Sequence, residues 1–274
     1  MLNIENRTNQ QNISIYERFP ELKEIAEDGY PKHVLIIPDG NRRWEKEQKK
    51  PGIFSAAGEI FKQAGEISGH EAGYGVLKEV IRDLRQLPIE TVTIWGLSTD
   101  NYHKRSETEI NGLFKIFEGA TNQAVDELMA ENIKGRFIHI GDKERIGERR
   151  PSLKKALERA EEITKENKGQ KLCFAIDYGG DDETIKVVKK ALELNLNPKT
   201  ITRNDINNLR NENGLITPAD LIIRTSGELR TSGIGWIADN AEFYSISKLL
   251  PETTIEDFIN GITEFAKRDR RGGK

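Results

Sequence analysis

Six short apolar runs, separated by stretches with helical spacing, constrain this chain more than any other feature of it. The runs are His33–Pro38, Glu90–Leu97, Gly135–Ile140, Lys171–Asp177, Asp220–Arg224 and, more weakly, Glu242–Ser247. They show little polar alternation, so they read as strands buried on both faces. Between them Val76, Val80, Leu84 and Leu87 recur at helical intervals. So do Leu113, Phe117 and Val125, then Leu153, Leu157 and Ala160, and finally Ile185, Val188 and Leu192. Such spacing gives each helix one apolar face with which to cover a sheet. The expected class is therefore α/β, with a parallel sheet covered by helices on both sides. Thr254 and Asp257 resemble a capping box, which opens a last helix running to about Arg268.

The length of 274 residues, 36% of them apolar, suffices for one large domain with its own core. No run approaches the roughly 20 apolar residues of a membrane span, and the segment 1–12 lacks a signal-peptide pattern, so a soluble, cytoplasmic protein is expected. That polar opening reads as a loose arm, and Ile15–Ile25 as a short amphipathic helix and a weak candidate for peripheral membrane contact. The division is thus an arm over 1–30 and a domain over 31–274. A single cysteine, Cys173, rules out an internal disulfide framework, and four scattered histidines argue against structural zinc. With 42 Lys and Arg against 45 Asp and Glu, the net charge of −3 argues against a general nucleic-acid binder. Local basic clusters remain free to hold a small anion.

In sheets of this kind ligands collect beyond the carboxyl ends of the strands. Two of those ends are chemically loaded. The first run empties into Asp39-Gly40-Asn41-Arg42-Arg43-Trp44. Gly40 permits a tight turn, amides at a following helix start can face an anion, and the two arginines add fixed charge. Asp39, beside a bound diphosphate, can hold Mg²⁺ through oxygen. An ordinary Asp-Gly turn before a solvated basic helix has the same spacing. The fifth run empties into Arg224-Thr225-Ser226-Gly227-Glu228-Leu229-Arg230-Thr231-Ser232, where Arg224 and Arg230 can fork onto phosphate and Ser232 can add a hydroxyl. A surface loop with arginines paired to Glu228 is the alternative. Four arginines gathered at two ends of one predicted edge suit two anionic groups, most simply two diphosphates.

These segments resemble the cis-prenyltransferases, the isoprenyl or undecaprenyl diphosphate synthases. HVLIIPDGNRRW over His33–Trp44 is similar to the family's first signature, GHEAG over Gly69–Gly73 to its next helix start, and STDN over Ser98–Asn101 to its Ser-x-x-Asn loop. Ile140-Gly141-Asp142, Asp177-Tyr178-Gly179-Gly180, RTSGELRTS over Arg224–Ser232, Ala241-Glu242-Phe243-Tyr244 and a terminal Arg271-Gly272-Gly273 follow in family order. The likeness runs from about residue 30 to the end.

The resemblance implies a single domain with a six-stranded, largely parallel sheet, helices around it, a hydrophobic product tunnel and commonly a homodimer. It implies Mg²⁺-dependent addition of isopentenyl diphosphate to an allylic prenyl diphosphate such as farnesyl or geranylgeranyl diphosphate, each new double bond being cis. Asp39 is then the first catalytic residue, with His70 and Asn101 near the reacting centre. Gly40, Asn41, Arg42, Arg43 and Trp44 form the allylic side, with Ser98 and Lys104 also binding substrate. Arg224, Arg230 and Ser232 take isopentenyl diphosphate, Glu242 joins Asp39 at the metal from its own or a partner subunit, and Arg271 and Gly273 reach across the dimer. Leu97, Leu113, Phe114 and Phe117 fit either tunnel lining or ordinary core, while His33, His103, His139 and Cys173 are expected to be structural.

The chain also departs from the family pattern. The segment between Trp44 and His70 is about twice the usual length, and Glu66 stands where many members have an arginine. Tyr102-His103-Lys104-Arg105 replaces a Trp-x-Arg-Pro loop, leaving Lys104 or Arg105 as the substitute cation, and Asp177 and Asp181 replace Asn and Arg. These changes keep open a diverged enzyme that makes a short, branched or cyclised product or prenylates another acceptor. A noncatalytic partner subunit is the alternative of another class.

Overall fold

The strands form where the apolar runs fall. In the computed structural model, which describes residues 13–48, 68–130 and 134–269, they are β1 His33–Ile37, β2 Thr91–Ser98, β3 Arg136–Ile140, β4 Lys171–Tyr178, β5 Leu221–Arg224 and β6 Glu242–Ser245. They pair in the order β3-β4-β2-β1-β5-β6, every pair parallel, as both-face burial of β1 and β5 requires. The helices between them are α1 Ile15–Arg18, α2 Asn41–Gln48, α3 Gly69–Leu84, α4 Thr99–Lys104, α5 Glu107–Ala130, α6 Lys143–Arg149, α7 Pro151–Thr164, α8 Gly180–Glu193 and α9 Arg203–Leu209, followed by α10 Ile255–Lys267. Separate apolar cores lie on the two faces of the sheet, one with Val34, Ile36 and Ile94, the other with Leu35, Ile37 and Trp95. That split follows from the two-residue period of the strands.

The chain reverses direction across the sheet at β1, which has β2 on one side and β5 on the other. A crevice opens at such a switch point beyond the strand ends. The register sets Ile37 opposite Arg224, so the segments after β1 and β5 leave the sheet side by side.

Three expectations need correction. The helix expected over Ile15–Ile25 lasts one turn, because Pro20 lacks an N–H and pushes Phe19 to an extended ψ of 79°. Its apolar residues Ile15 and Leu22 are buried in the core. The first interstrand helix, α3, ends at Leu84, leaving Leu87 in the turn that follows. The stripe Ile185, Val188 and Leu192 does lie on a helix, α8, but it faces outward at 53, 53 and 71% exposure while Gly180, Glu183 and Val187 face in. The arm's first twelve residues lie outside the described residues.

Candidate active site

The turn after β1 is built around Asp39. Its N–H meets the Thr225 hydroxyl oxygen at 2.8 Å, and that hydroxyl donates back to the Asp39 carbonyl at 2.6 Å. Gly40, at φ +106°, turns the chain beneath Leu249 and donates its N–H to Asp39 Oδ1 at 2.7 Å. Arg224, almost wholly buried, donates from Nη2 to Asp39 Oδ2 at 2.8 Å. Its other nitrogen, Nη1, reaches the Arg230 carbonyl and, at 2.8 Å, Ser232 Oγ. Thus Asp39, Arg224 and Ser232 form one chain of contacts. Ser226 and Ser232 adopt left-handed backbone, at φ 75° and 54°, to fold this loop over the strand end.

The helix start after Gly40 is locked to α3 through glycine. A Cβ on Gly69 would lie 2.1 Å from the Asn41 carbonyl oxygen, and one on Gly73 would lie 2.1 Å from Asn41 Oδ1. The two glycines of the GHEAG segment therefore let α3 pack directly on the turn after β1. Ser68 and Glu71 close that helix start as a capping box. Arg43 reaches the Ser226 hydroxyl and lies 3.6 Å from Glu228, which also holds Arg230.

A second cluster gathers on Glu109 at the start of α5. Its Oε1 lies 3.2 Å from Arg105 Nη1 and 3.6 Å from both Arg42 Nε and His70 Nε2. Burial, and then the charge of Arg105, lower the His70 pKa and favour the neutral ring. His70 Nε2 and Asn41 Oδ1 are buried without a hydrogen-bond partner, and both residues line the apolar chamber that opens beside them.

That chamber holds about 710 Å³ of empty space including its mouth. Pro38, Asn41, His70 and Arg105 rim it, and Leu77, Ile81, Ile94, Leu113, Phe117 and Phe174 wall it between α3, α5 and the sheet. Leu113 and Phe117 are thus lining, whereas Leu97 and Phe114 belong to the core.

The structure brings Asp39, Gly40, Asn41, Arg42, Arg43, His70, Arg224, Arg230 and Ser232 to one edge. Other expected site residues go elsewhere. Lys104 pairs outward with Asp100 at 2.5 Å, one turn back on α4, while Arg105, in extended backbone at the helix end, turns inward to the chamber. Arg105 is therefore the substitute cation, not Lys104. Trp44 is buried at 6% exposure and does not line the chamber, so it anchors α2 instead of covering substrate. Ser98 caps α4 by accepting the Asn101 N–H at 3.1 Å, and Asn101 does not line the chamber either.

Glu242 stands level with Leu221 and Val34 at the far end of its strand and pairs with Arg268 at 2.7 Å. Asp39 lies five residues beyond Val34, roughly 15 Å up the sheet, so the two carboxylates of one chain cannot share a cation. Asp177, at φ 54°, is taken by Arg145 at 2.6 Å, and Asp181 sits on the first turn of α8. Glu66, Arg271, Gly273 and most of the long segment before His70 lie outside the described residues.

Sequence reasoning missed Glu109, although its spacing of four from Arg105 at a helix start is the signal that finds it. It also missed Thr225, which no spacing rule marks.

The site joins a parallel α/β sheet, an arginine-rich edge beyond its strands and an apolar chamber beside that edge. The undecaprenyl diphosphate synthase family model, Prenyltransf, matches residues 37–273. An isoprenyl transferase of Bacillus cereus (strain ATCC 14579) is 33% identical over 261 residues, 93% of each chain. That of Listeria monocytogenes serovar 1/2a is 36% identical over 256 residues, 91% of this chain and 93% of the relative. The crystal structure of lavandulyl diphosphate synthase from Lavandula x intermedia, in complex with dimethylallyl diphosphate, aligns over 90% of this chain and all of that one, at TM-score 0.77 and 30% identity. A probable undecaprenyl diphosphate synthase of Campylobacter jejuni shares the fold at TM-score 0.68 and 24% identity. The chain belongs to the undecaprenyl diphosphate synthase family, the cis-prenyltransferases. It is a prenyl-transferring enzyme of the cis type, and no helix among the described residues is long and apolar enough to cross a membrane.

Proposed function

We propose that this enzyme condenses isopentenyl diphosphate with an allylic prenyl diphosphate, farnesyl or geranylgeranyl diphosphate, to give a Z-polyprenyl diphosphate. The observation that carries the reading is the meeting of Asp39 and Arg224, 185 residues apart in the chain, in the turn whose Pro38 and Asn41 rim an apolar chamber. The first turn of α2 with Arg42 and Arg43 would hold the allylic diphosphate, and Arg224, Arg230 and Ser232 the second one. The allylic C–O bond breaks as the new C–C bond forms, so arginines and helix amides aimed at the departing oxygens stabilise charge where it develops. His70, kept neutral by burial and with Nε2 3.6 Å from Glu109, can pass the proton released from the added unit toward that carboxylate.

Asp39 fits a magnesium ligand: among the described residues its two oxygens accept from Gly40 and Arg224, which leaves acceptor capacity beside a bound diphosphate. Mg²⁺ is ordinarily held by one or two carboxylates together with substrate phosphates. When bound there it would neutralise diphosphate charge. A second copy of the chain covering the exposed α8 stripe would account for Ile185, Val188 and Leu192 and for the expected homodimer. The likeness to lavandulyl diphosphate synthase and the position of Phe117 in the chamber favour a second reading, a short product grown from a small allylic primer.

Incubation with labelled isopentenyl diphosphate, Mg²⁺ and allylic primers of several lengths, followed by mass spectrometry, separates these readings. Extension by several units supports the first and a single condensation the second. No extension from any primer overturns both.

Gly96 supplies a further test. A Cβ there would meet the Phe117 ring at 2.8 Å, so Gly96→Ala is expected to push the ring into the chamber and shorten the principal product. An unchanged product from a folded variant would show that Phe117 does not bound the tail.

A further inference from the structure

The chamber does not end in a wall of hydrocarbon. Tyr74, Ile81, Ala120 and Phe174 line both the chamber and a lower recess between α3 and α5. Arg85 and Leu172 then line both that recess and a cavity beside Lys134 and Arg136 at the amino-terminal edge of the sheet. Three adjoining spaces thus share lining residues from the site toward the amino-terminal edge of the sheet, and polar side chains gather at the middle one.

At that level α3 and α5 are stitched together by polar groups. The Tyr74 hydroxyl donates to Gln123 Oε1 at 2.9 Å. Glu127, one turn further along α5, lies 3.5 Å from Lys78 and 3.6 Å from Arg85. The spacing puts Tyr74, Lys78 and Arg85 on one helix face and Gln123 and Glu127 on the opposed one. Burial and the Glu127 charge push the Tyr74 hydroxyl up to about 12, so it stays a donor.

We propose that this seam, the Tyr74–Gln123 hydrogen bond backed by the Glu127 ion pairs, is the stop that sets how long a prenyl tail the chamber accepts. The proposal rests on the prenyl transfer reading above and adds which residues fix product length. A growing tail gains by covering itself with Leu77, Leu113, Phe117 and Phe174. A tail that leaves the chamber for the recess must press on Tyr74, Gln123 and Glu127, which lose partners or water and receive nothing in exchange. Further growth then ceases to be favourable although space continues below.

The test is a titration of wild-type protein and of Tyr74→Phe/Gln123→Leu with n-alkyl diphosphates of increasing length. Affinity should climb about fourfold per buried methylene and level off where the tail meets the seam. In the double variant the levelling should move to longer tails, and in Tyr74→Phe alone, which keeps the ring and its volume, it should move the same way. With isopentenyl and farnesyl diphosphates the double variant's principal product should lengthen by at least one isoprene unit. Levelling at the same tail length in all three proteins overturns the seam, as does affinity with no dependence on tail length. If the levelling moves as expected but no primer is extended, the transferase reading falls and the seam stands.

Discussion

Asp39→Ala is expected to lower turnover roughly 10³-fold, the scale set by losing a preorganised charge-stabilising group at a reacting centre. The substitution removes the carboxylate that accepts from Arg224 and Gly40 and that is proposed above to hold the cation. Asp39→Asn keeps an acceptor for Gly40 but not the charge, so its melting temperature should stay near wild type while its activity falls almost as far. Steady-state kinetics on both variants, with circular dichroism to confirm folding, check this. Turnover largely retained in Asp39→Asn would show that the carboxylate charge is not used.

The second large effect is on stability in acid. His33 and His139 are fully buried, and burial lowers their pKa values from 6.5 to about 4 and about 3. His33 Nδ1 meets the Thr217 carbonyl at 2.8 Å and its Nε2 meets the Thr93 hydroxyl at 2.7 Å, so the neutral ring is fully used. Asp220 moderates the shift at His33 and Lys171 adds to it, while Lys143 and Lys186 deepen the one at His139. Below pH 6.5 the unfolded chain binds protons that the folded one refuses, so stability is full above that pH and drains away as pH falls toward the two folded values. By pH 4 the two rings together remove about 6 kcal/mol, comparable to the whole net stability of an ordinary domain. Urea unfolding between pH 7 and pH 4 should show stability falling with a slope approaching two protons, and His33→Gln should remove one of them. A flat profile over that interval would contradict it.

Much of this was written in the chain, and what was not has a physical reason. Strands buried on both faces announce themselves by unbroken apolar runs, and strand ends loaded with Asp, Gly and Arg follow directly from them, so the meeting of Asp39 with Arg224 was legible. Register is not written in composition. Glu242 carries the right chemistry but starts β6 at the end of the sheet away from the Asp39 of its own chain, which only the pairing with Leu221 reveals. The choice between Lys104 and Arg105 turned on the last residue of a six-residue helix, beyond the reach of periodicity. The α8 stripe has the spacing of a buried face, yet spacing says only that a face exists and not what covers it.

The arginines expected to grip diphosphate are already engaged: Arg224 by Asp39, Arg230 by Glu228, Arg43 by Ser226 and Glu228. Substrate therefore enters by substitution of one anion for another, not by attraction to naked charge. A singly charged intruder has little to offer against a carboxylate held in place, whereas a diphosphate brings several oxygens at once. On the proposed reaction, the same carboxylates would reclaim the arginines as pyrophosphate departs, so the loops that admit substrate would also help to expel the by-product.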